Sequence, residues 1–562
     1  MRFFAKLQTV AGIPLALALV SCGSNPQSQT ATGTPSQFQP HVFALSVTAN
    51  GSGTVTSSPT GIDCGVTCRA SFAAGTTVVL TATPGRGAVF VGWSGVCSGT
   101  GPCSVPLNAA ASVAAVFSAS LQSVKHIIFM LQENRGFLHY FGALPEYWVS
   151  NGYAMEQFKG LPQFNVPPAP SPTEPGCDPT LPPPSQCMID TNNPVPSFHL
   201  VTRCVENPST NWSSDHHDFN FHQPFSGTAT LDGFVVSAAA KARSTGFNDV
   251  NGMRAMGYYD GGDLNYYYFM ASNFATSDSW FSPLMGDTQP NRMYLLAATS
   301  AGHAHRQATG SPTLNNVTIF ELLQEAGISW KVYVTDPNPT LINGSAMSMF
   351  SFTYGFPQNF VPASQFISDA ANGLLPQVAM IEPGYSDGRD EHPFKTPSKP
   401  GGNVQVGANY VSQLINALMH SVSWKDSVFI LTWDESGGFY DDVPPQPTVS
   451  PDGIPPLDLV PGDVCSQSTN TGPSCDFVFT GYRLPLIVVS PYTKRHYVSH
   501  TTTDYTAILK FIETRFNLPS LTKRDVAQMD MTEFFDFAGI PWSTPPSPPT
   551  QNMTGPCVDT LP

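Results

Sequence analysis

From about residue 122 onwards, continuous apolar runs alternate with segments of helical periodicity. The runs are KHIIFML, QVAMIEP, DSVFILTW and LPLIVVSP, and the helical segments include NVTIFELLQEAG and GANYVSQLINALMHS. Strands that are apolar along their whole length are buried on both faces, which is typical of a mostly parallel sheet covered by helices. The pattern predicts an α/β domain over residues 122–540, followed by an irregular tail over residues 541–562.

The pattern between residues 43 and 118 is different. Short β-branched runs alternate there with turns rich in Gly, Ser and Asn, which predicts a small all-β module. This segment contains no cluster of acids, bases or nucleophiles. We therefore expect it to serve as a spacer or a weak binding module.

The N-terminus has the pattern of an export signal. Arg2 and Lys6 precede an apolar stretch that is too short to span a bilayer and that ends on the sequence LVSC. This ending resembles a bacterial lipobox, which implies cleavage after residues 1–21 and lipidation of Cys22; a plain secretory signal is the alternative. Residues 22–42 are polar and low in complexity, which predicts a flexible tether. The prediction is an exported lipoprotein, anchored by its lipid at the outer membrane or cell surface.

Charge and cysteine content narrow the classes of function. The net charge of -15 over 562 residues excludes nucleic acid as an expected partner, because phosphate backbones attract basic surfaces. Setting Cys22 aside leaves an even number of the 11 cysteines, as expected for disulfides in an oxidising compartment. Close spacing favours three local disulfides, and four cysteines cannot be paired from the sequence. The candidate pairs are Cys64 with Cys68, Cys97 with Cys103, and Cys465 with Cys475; the unassigned residues are Cys177, Cys187, Cys204 and Cys557.

Two of the predicted strands end in polar residues. HIIFMLQ is followed by Glu133 and Asn134, and DSVFILTW is followed by Asp434 and Glu435. In open α/β sheets ligands bind beyond the carboxyl ends of the strands. Three carboxylates and an amide gathered at one edge repel each other unless a cation lies between them. The ends therefore predict a site for one divalent ion, and oxygen ligands favour Ca²⁺, Mg²⁺ or Mn²⁺ over Zn²⁺.

The first of these ends also carries a family signature. MLQENRGFLHYFG resembles the QENRSFDHYFG signature of the bacterial phosphoesterase family that contains non-haemolytic phospholipases C and acid phosphatase A. GDTQPNRMYL, TWDESGGFYDDVPP, GYRLPLIVVSPY and YVSHTTTDYTAILKFIETRF follow in the family's order, so the resemblance covers roughly residues 122–530. The segment 43–118 resembles the InlB-type B-repeat family of surface modules.

The resemblance implies an alkaline-phosphatase-like core and the hydrolysis of phosphate esters through a metal-assisted hydroxyl nucleophile. Thr288, in GDTQPNR, matches that nucleophile. Glu133, Asn134, Asp434 and Glu435 would then hold the ion against Thr288 Oγ1, while Asn291 and Arg292 support the nucleophile turn. The histidines that match family segments, and that are expected to line the phosphate pocket, are His392, His500 and one of His216 and His217, with His217 as the candidate.

Departures from the family pattern leave the substrate open. Ser436 and Asp442 stand where the family has histidines, so the acid for the leaving group is in doubt. We expect phospholipase C-like cleavage of a phosphodiester, with a phospholipid as candidate substrate and the aromatic run 266–269 as a candidate for headgroup contact. The alternatives are an acid phosphatase and a surface adhesin whose catalytic domain has decayed.

Overall fold

The computed structural model describes residues 41–85, 88–307, 313–395, 402–558 and 561. The predicted signal peptide, the predicted lipidation site Cys22 and most of the predicted tether lie outside the described residues. None of the helices in the described part of the chain combines the length and the apolar character needed to cross a membrane.

The N-terminal module is all β, as predicted. Its eight strands form two four-stranded sheets, ordered β4-β1-β8-β6 and β3-β2-β5-β7. Buried and exposed residues alternate along the strands; Val78 and Leu80, for example, are buried and the residues next to them are exposed. The buried residues of the two sheets together form one core. The strands are β1 Val42–Asn50, β2 Gly53–Ser58, β3 Asp63–Cys64, β4 Arg69–Ala73, β5 Thr77–Pro84, β6 Ala88–Gly95, β7 Cys103–Pro106 and β8 Ala111–Ala119.

The second domain is built on an eight-stranded sheet ordered β17-β16-β18-β9-β19-β20-β14-β21. β20 pairs antiparallel with both of its neighbours, and the other pairings are parallel. The strands of this domain are β9 His126–Gln132, β10 Thr173–Cys177, β11 Ile189–Pro196, β12 Phe198–His199, β13 Gly257–Tyr258, β14 Ala275–Ser277, β15 Trp280–Phe281, β16 Trp330–Val334, β17 Phe360–Pro362, β18 Val378–Glu382, β19 Ser427–Trp433, β20 Leu486–Val489, β21 Tyr497–Ser499 and β22 Thr503–Asp504.

Helices cover the sheet, and short 3-10 helices occupy several of the loops. The helices are α1 Phe137–Phe141, α2 Leu144–Asn151, α3 Trp212–Phe219, α4 Phe234–Thr245, α5 Asn265–Asn273, α6 Thr288–Ala297, α7 Ile319–Glu325, α8 Ser364–Asn372, α9 Val404–Met419, α10 Ala507–Phe516 and α11 Lys523–Val526. All residues of β18 and β19 are buried, which explains why these strands show no alternation in the sequence. The predicted mostly parallel α/β architecture is therefore confirmed.

The register of the central strands sets the geometry of the site. β9 and β19 are parallel neighbours in which Gln132 lies opposite Trp433, so Glu133 and Asp434 leave the sheet side by side. β18 flanks β9 on the other side and ends in Glu382. Three acidic side chains thus reach one edge of the sheet from adjacent strands.

Disulfides fasten loops in both the N-terminal module and the α/β domain. Cys64–Cys68, Cys97–Cys103 and Cys465–Cys475 are the local pairs expected from the spacing. The structure also pairs the four unassigned cysteines, as Cys177–Cys187 and Cys204–Cys557. The second of these ties the C-terminal tail, which contains no helix or strand among its described residues, to the segment that follows β12.

Candidate active site

Thr288 is the first residue of α6 and lies in the rim of a cavity. Asp287 caps the helix, and its Oδ1 accepts the Thr288 N–H at 2.8 Å. The Thr288 hydroxyl donates to Glu435 Oε1 at 3.1 Å and lies 3.5 Å from Glu133 Oε2. The helix N-terminus adds partial positive charge, so the hydroxyl occupies a place suited to an attacking oxygen.

The residues that follow β9 and β19 are joined to each other by hydrogen bonds. Asp434 Oδ1 accepts the Asn134 N–H at 2.9 Å, and Asn134 Nδ2 donates to Glu435 Oε1 at 2.8 Å. Asn134 has a positive φ of 56°, an unusual conformation for a residue other than glycine that is often found at functional sites. Gly437 makes this close turn possible, because a Cβ atom there would lie 2.2 Å from the Asn134 carbonyl oxygen.

Arg292 connects the three strand ends. One helical turn after Thr288, it donates to Glu133 Oε1 at 2.7 Å, to Asp434 Oδ2 at 3.2 Å and to Glu382 Oε2 at 3.4 Å. Its side chain is almost completely buried. Arg292 therefore links α6 to the strand ends and fixes Glu133 and Asp434 in relation to that helix, while its role in supporting a nucleophile turn stays a prediction.

Even with Arg292 present, negative charge accumulates around Thr288. Burial first, and then the charge of Glu133, raise the pKa of Asp434 well above its usual range. Burial, Asp287 and Asp434 do the same to the pKa of Glu435. Burial is the largest single influence on the pKa of Glu133 and acts to raise it, but Arg292, His392, Lys395 and a hydrogen bond with Asp434 together lower that pKa to about 2. A further cation beside Asp434 and Glu435 would relieve this excess of negative charge.

The residues present fit such a cation. Within the described part of the chain, Asn134 Oδ1 and Glu435 Oε2 are buried and have no hydrogen-bond partner. Buried acceptors are rarely left unsatisfied unless a ligand or an ion completes them. Together with Glu133, Asp434 and the Thr288 hydroxyl they form an all-oxygen set, which suits a hard divalent ion.

A second group of possible ligands lies elsewhere in the fold. His199, Asp260 and Asp263 have ligand atoms within 4.8 Å of one another, and Asp260 lines a different cavity. The group is held by internal bonds, since Asp263 pairs with both His199 and Arg203. The carboxylates around Thr288 are more widely spread, with Arg292 between Glu133 and Asp434.

The cavity beside Thr288 has a volume of about 510 Å³ and a lining of mixed chemistry. Pro337, Ala346 and Met349 make one part of the lining apolar. Arg306 and Lys395 contribute positive charge. The lining also contains the carboxylates of Glu133 and Asp336, so it combines apolar, cationic and acidic side chains.

His392 is the predicted histidine that lies close to the cluster. It is buried, and it and Glu133 influence each other's pKa, which places it within electrostatic reach of Thr288's neighbours. Burial and then Lys395 lower the pKa of His392 to about 3. Its Nδ1–H donates to the Pro393 carbonyl at 2.5 Å, so Nε2 is the proton acceptor of a neutral ring.

The other predicted contacts lie away from Thr288. His217 lines a separate cavity of about 770 Å³, and His216 is fully buried between the carbonyls of Trp212 and Ser474. His500 is half exposed and pairs with Asp278. Among the described residues, the lining of the Thr288 cavity includes none of His217, His392 and His500. In the run 266–269 the three tyrosines are fully buried in α5 and cannot contact a headgroup, whereas Phe269 is partly buried and packs against the core.

Sequence reasoning missed several residues of the site. Glu382 ends β18 in the same way that Glu133 follows β9, and the strand-end rule could have identified it. Arg306 and Lys395 follow no strand and belong to loops, so no pattern in the sequence assigns them to the cavity.

The sequence model of the Phosphoesterase family matches residues 124–519. The chain belongs to the Phosphoesterase family. A model of the Divergent InlB B-repeat domain matches residues 43–121, so both predicted resemblances are confirmed. The motifs that contain Glu133, Thr288 and Asp434 thus lie within the segment that matches the Phosphoesterase family.

Several proteins that are similar in sequence to this chain are named phospholipases C. Phospholipase C B of Mycobacterium tuberculosis is 29% identical over 480 residues, which cover 79% of this chain and 82% of that protein. Non-specific phospholipase C5 of Arabidopsis thaliana is 30% identical over 338 residues, covering 56% of this chain and 57% of that protein. Hemolytic phospholipase C of Pseudomonas aeruginosa is 27% identical, covering 75% and 57%. The protein is therefore a hydrolase that acts on phosphoric ester bonds, which does not favour the adhesin alternative.

Solved structures resemble the Phosphoesterase domain more distantly. A protein in the Alkaline Phosphatase Superfamily from Vibrio parahaemolyticus is similar with a TM-score of 0.28 and 12% identity, covering 47% of this chain and 63% of that chain. Phosphonate monoester hydrolase from Silicibacter pomeroyi has a TM-score of 0.28 and 12% identity, covering 46% and 69%. Matches at this level carry no argument about the residues of the site.

Proposed function

We propose that this Phosphoesterase is a metal-dependent phosphodiesterase of the phospholipase C type, with Thr288 as its nucleophile. The observation that carries the proposal is the position of the Thr288 hydroxyl. It lies at the N-terminus of α6, bonded to Glu435, beside a buried oxygen set that includes two unpaired acceptors. An ordinary threonine at a helix start has no such surroundings.

The reaction follows from this placement. Thr288 Oγ1 attacks the phosphorus atom, and its proton passes towards Glu435 Oε1, the nearest acceptor. The bond from phosphorus to the leaving oxygen breaks, and that oxygen leaves with the electron pair and takes a proton from solvent. In the second step a water oxygen bonds to phosphorus and releases a proton to solvent, the bond from phosphorus to Thr288 Oγ1 breaks, and Oγ1 takes back the proton held by Glu435.

A divalent ion held by Glu133, Asn134, Asp434, Glu435 and Thr288 would lower the pKa of the threonine hydroxyl and neutralise phosphoryl charge. The chain's own residues orient the reacting groups. Arg292 holds Glu133 and Asp434 in place, and the Asp287 cap fixes the first turn of α6. His392, with its neutral ring, can accept a proton near the cluster.

The substrate class is argued from the cavity and the relatives. The apolar part of the lining, at Pro337, Ala346 and Met349, suits the apolar side of a lipid diester, and the relatives reported above are named phospholipases C. Arg306 and Lys395 favour the second candidate, an acid phosphatase, because a monoester carries more negative charge. We infer the diester because the apolar part of the lining suits a lipid group and the relatives reported above are named phospholipases C.

We also propose that the protein acts outside the cytoplasm, anchored through Cys22 as predicted from the lipobox. The disulfides of the described chain support export, because such bonds persist in oxidising compartments. Globomycin treatment and labelling with a palmitate analogue test the anchor: a Cys22→Ser variant is expected to lose the label.

Paired substrates test the function. Purified protein and its Thr288→Ala variant are assayed on p-nitrophenylphosphorylcholine and p-nitrophenyl phosphate, with and without a chelator. Preference for the choline diester, lost in the variant and with chelator, supports the proposal. Preference for the monoester identifies an acid phosphatase, and turnover that persists in Thr288→Ala overturns the nucleophile.

A further inference from the structure

Three positively charged side chains line the cavity beside Thr288 among the described residues: Arg292, Arg306 and Lys395. They are not equivalent. Arg292 is buried and bonded to Glu133, Asp434 and Glu382, so its charge already balances protein carboxylates. A phosphate ester that enters the cavity needs a different cation.

Arg306 has the geometry of such a cation. Its Nε and Nη2 donate to the two oxygens of Asp287, each at 2.6 Å, and its side chain remains 54% exposed. Asp287 immediately precedes Thr288 and caps its helix. A guanidinium has five N–H donors, and this bidentate contact uses two, which leaves donors for a bound oxyanion next to the nucleophile.

The segment that carries Arg306 is fixed on both sides. The Gln307 N–H donates to Gln289 Oε1 at 2.7 Å, so residues 306 and 307 bond to the residues on either side of Thr288. On the outer side, Gln307 Nε2 donates to Asp458 at 3.1 Å and His305 contacts Asp463 at 2.7 Å. Arg306 therefore does not depend on one flexible side-chain contact for its position.

The charges around Arg306 match this role. Its hydrogen bonds with Asp287, followed by the charges of Asp287, Glu133 and Glu435, raise its pKa, so the guanidinium is charged at every pH at which the protein is folded. The same carboxylates would repel an approaching phosphate. A fixed cation beside them offsets that repulsion at the place where the phosphoryl oxygens must lie.

We propose that Arg306 is a catalytic residue that contacts the substrate, donating hydrogen bonds to a non-bridging oxygen of the phosphoryl group attacked by Thr288. This inference rests on the proposed function of Thr288. Arg306 forms no covalent bond in the reaction: phosphorus gains a bond to Thr288 Oγ1, loses its bond to the leaving oxygen, and keeps its non-bridging oxygens on the guanidinium throughout. Asp287 acts through Arg306 and is a positioning residue.

The test compares Arg306→Gln and Arg306→Lys with a matched control, Arg389→Gln. Arg389 also pairs with an aspartate, Asp387, at the surface, but it is not part of the described cavity lining. The full-length protein is assayed on p-nitrophenylphosphorylcholine, with inorganic phosphate as competitive inhibitor and with added guanidinium at low millimolar concentration. Thermal unfolding shows that each variant is folded, and Arg306→Lys serves if Arg306→Gln is not.

Arg306→Gln is expected to lower kcat/KM on the order of 100- to 1000-fold, as loss of one donor to a developing oxyanion does in other enzymes. Inhibition by phosphate should weaken, and guanidinium should restore part of the activity of Arg306→Gln but none of Thr288→Ala. Arg306→Lys should lie between, because lysine keeps the charge but not the bidentate contact. Arg389→Gln should behave as wild type.

The proposal is overturned if Arg306→Gln keeps kcat/KM within about threefold of wild type, a range typical of surface substitutions. It is also overturned if activity falls while phosphate inhibition and the response to guanidinium do not change, because Arg306 then acts only on the structure of the turn. If Thr288→Ala is active while Arg306→Gln is impaired with weakened phosphate inhibition, the nucleophile is wrong and the Arg306 contact stands.

Discussion

This protein contains two groups of side chains whose carboxylates could bind a metal ion. The groups differ in how many of their oxygen atoms accept hydrogen bonds. In the group formed by His199, Asp260 and Asp263, the Asp263 oxygens accept from Arg203, His199 and the Asp260 N–H, and Asp260 Oδ1 accepts backbone N–H groups. The group is more compact than the one beside Thr288 and partly exposed.

The strand-end group of Glu133, Asn134, Asp434 and Glu435 is almost completely buried, and it leaves Asn134 Oδ1 and Glu435 Oε2 unpaired. Unpaired acceptors in a buried place cost about 1–3 kcal/mol each, and a protein retains them where a ligand completes them. Compactness alone therefore does not mark a site, whereas unpaired buried acceptors beside a cavity and the proposed nucleophile Thr288 do.

The largest effect is expected from Thr288→Ala. Removing the attacking oxygen should lower kcat by at least about 1000-fold, as with other single nucleophiles, without lowering stability much. Thr288→Ser keeps a hydroxyl and should retain measurable activity. Initial rates and thermal unfolding measure both, with the exposed helix residue Thr514→Ala as control. If Thr288→Ala keeps an activity close to wild type, the strand-end group has no better claim to be the catalytic site than the group of His199, Asp260 and Asp263.

Arg292→Gln should have the next largest effect, on stability. It leaves Glu133 and Asp434 buried without their cation, which in other proteins costs about 3–5 kcal/mol of unfolding free energy. Arg203→Gln in the other group should cost less, because Asp263 keeps its contact with His199. Urea unfolding of the two variants measures the difference. Equal losses of unfolding free energy would mean that Glu133 and Asp434 depend on their arginine no more than Asp263 does.

Metal addition should distinguish the groups more directly. Adding Ca²⁺, Mg²⁺ or Mn²⁺ to chelator-treated protein is expected to stabilise it, by about 2.7 kcal/mol at a concentration 100 times Kd. The stabilisation should disappear in Glu435→Gln and persist in Asp260→Asn. The opposite pattern would place the ion at His199, Asp260 and Asp263.

The smallest expected effect is the pH dependence of the stability that His199 contributes through its contact with Asp263. The hydrogen bond with Asp263 raises the pKa of His199 above 6.5, although burial opposes it. The folded state therefore binds this proton more tightly, so the contribution to stability is full below pH 6.5 and is lost as the pH rises through the raised value. Because His199 is half exposed, we expect less than about 1 kcal/mol. Unfolding of wild type and His199→Gln at pH 6 and pH 8 measures it; a larger difference at pH 8 would contradict this assignment.

The sequence was sufficient for the features that depend on strands. Uninterrupted apolar runs predicted buried parallel strands, and the polar residues after β9 and β19 meet because parallel neighbours end at the same edge. Glu382 obeys the same rule. Thr288 came from the family motif alone, because a threonine before Gln-Pro has no distinguishing local pattern.

Features that depend on loops could not be predicted in this way. Cys204 and Cys557 are 353 residues apart and meet only in the tertiary structure, whereas close spacing identified three of the four local pairs and missed Cys177–Cys187. His217 and His500 match family segments, but tertiary packing places them outside the Thr288 cavity. Arg306 reaches the cavity through contacts with Asp287, which no local pattern encodes.

The most direct test of the central claim is to trap the covalent intermediate. Wild-type protein and Thr288→Ala are mixed with p-nitrophenylphosphorylcholine, quenched in acid within the first turnover, digested and mapped by mass spectrometry. We expect a phosphorylcholine adduct on Thr288 in the wild type and none in the variant. An adduct on another residue, or a burst of nitrophenol without any adduct on Thr288, would contradict it.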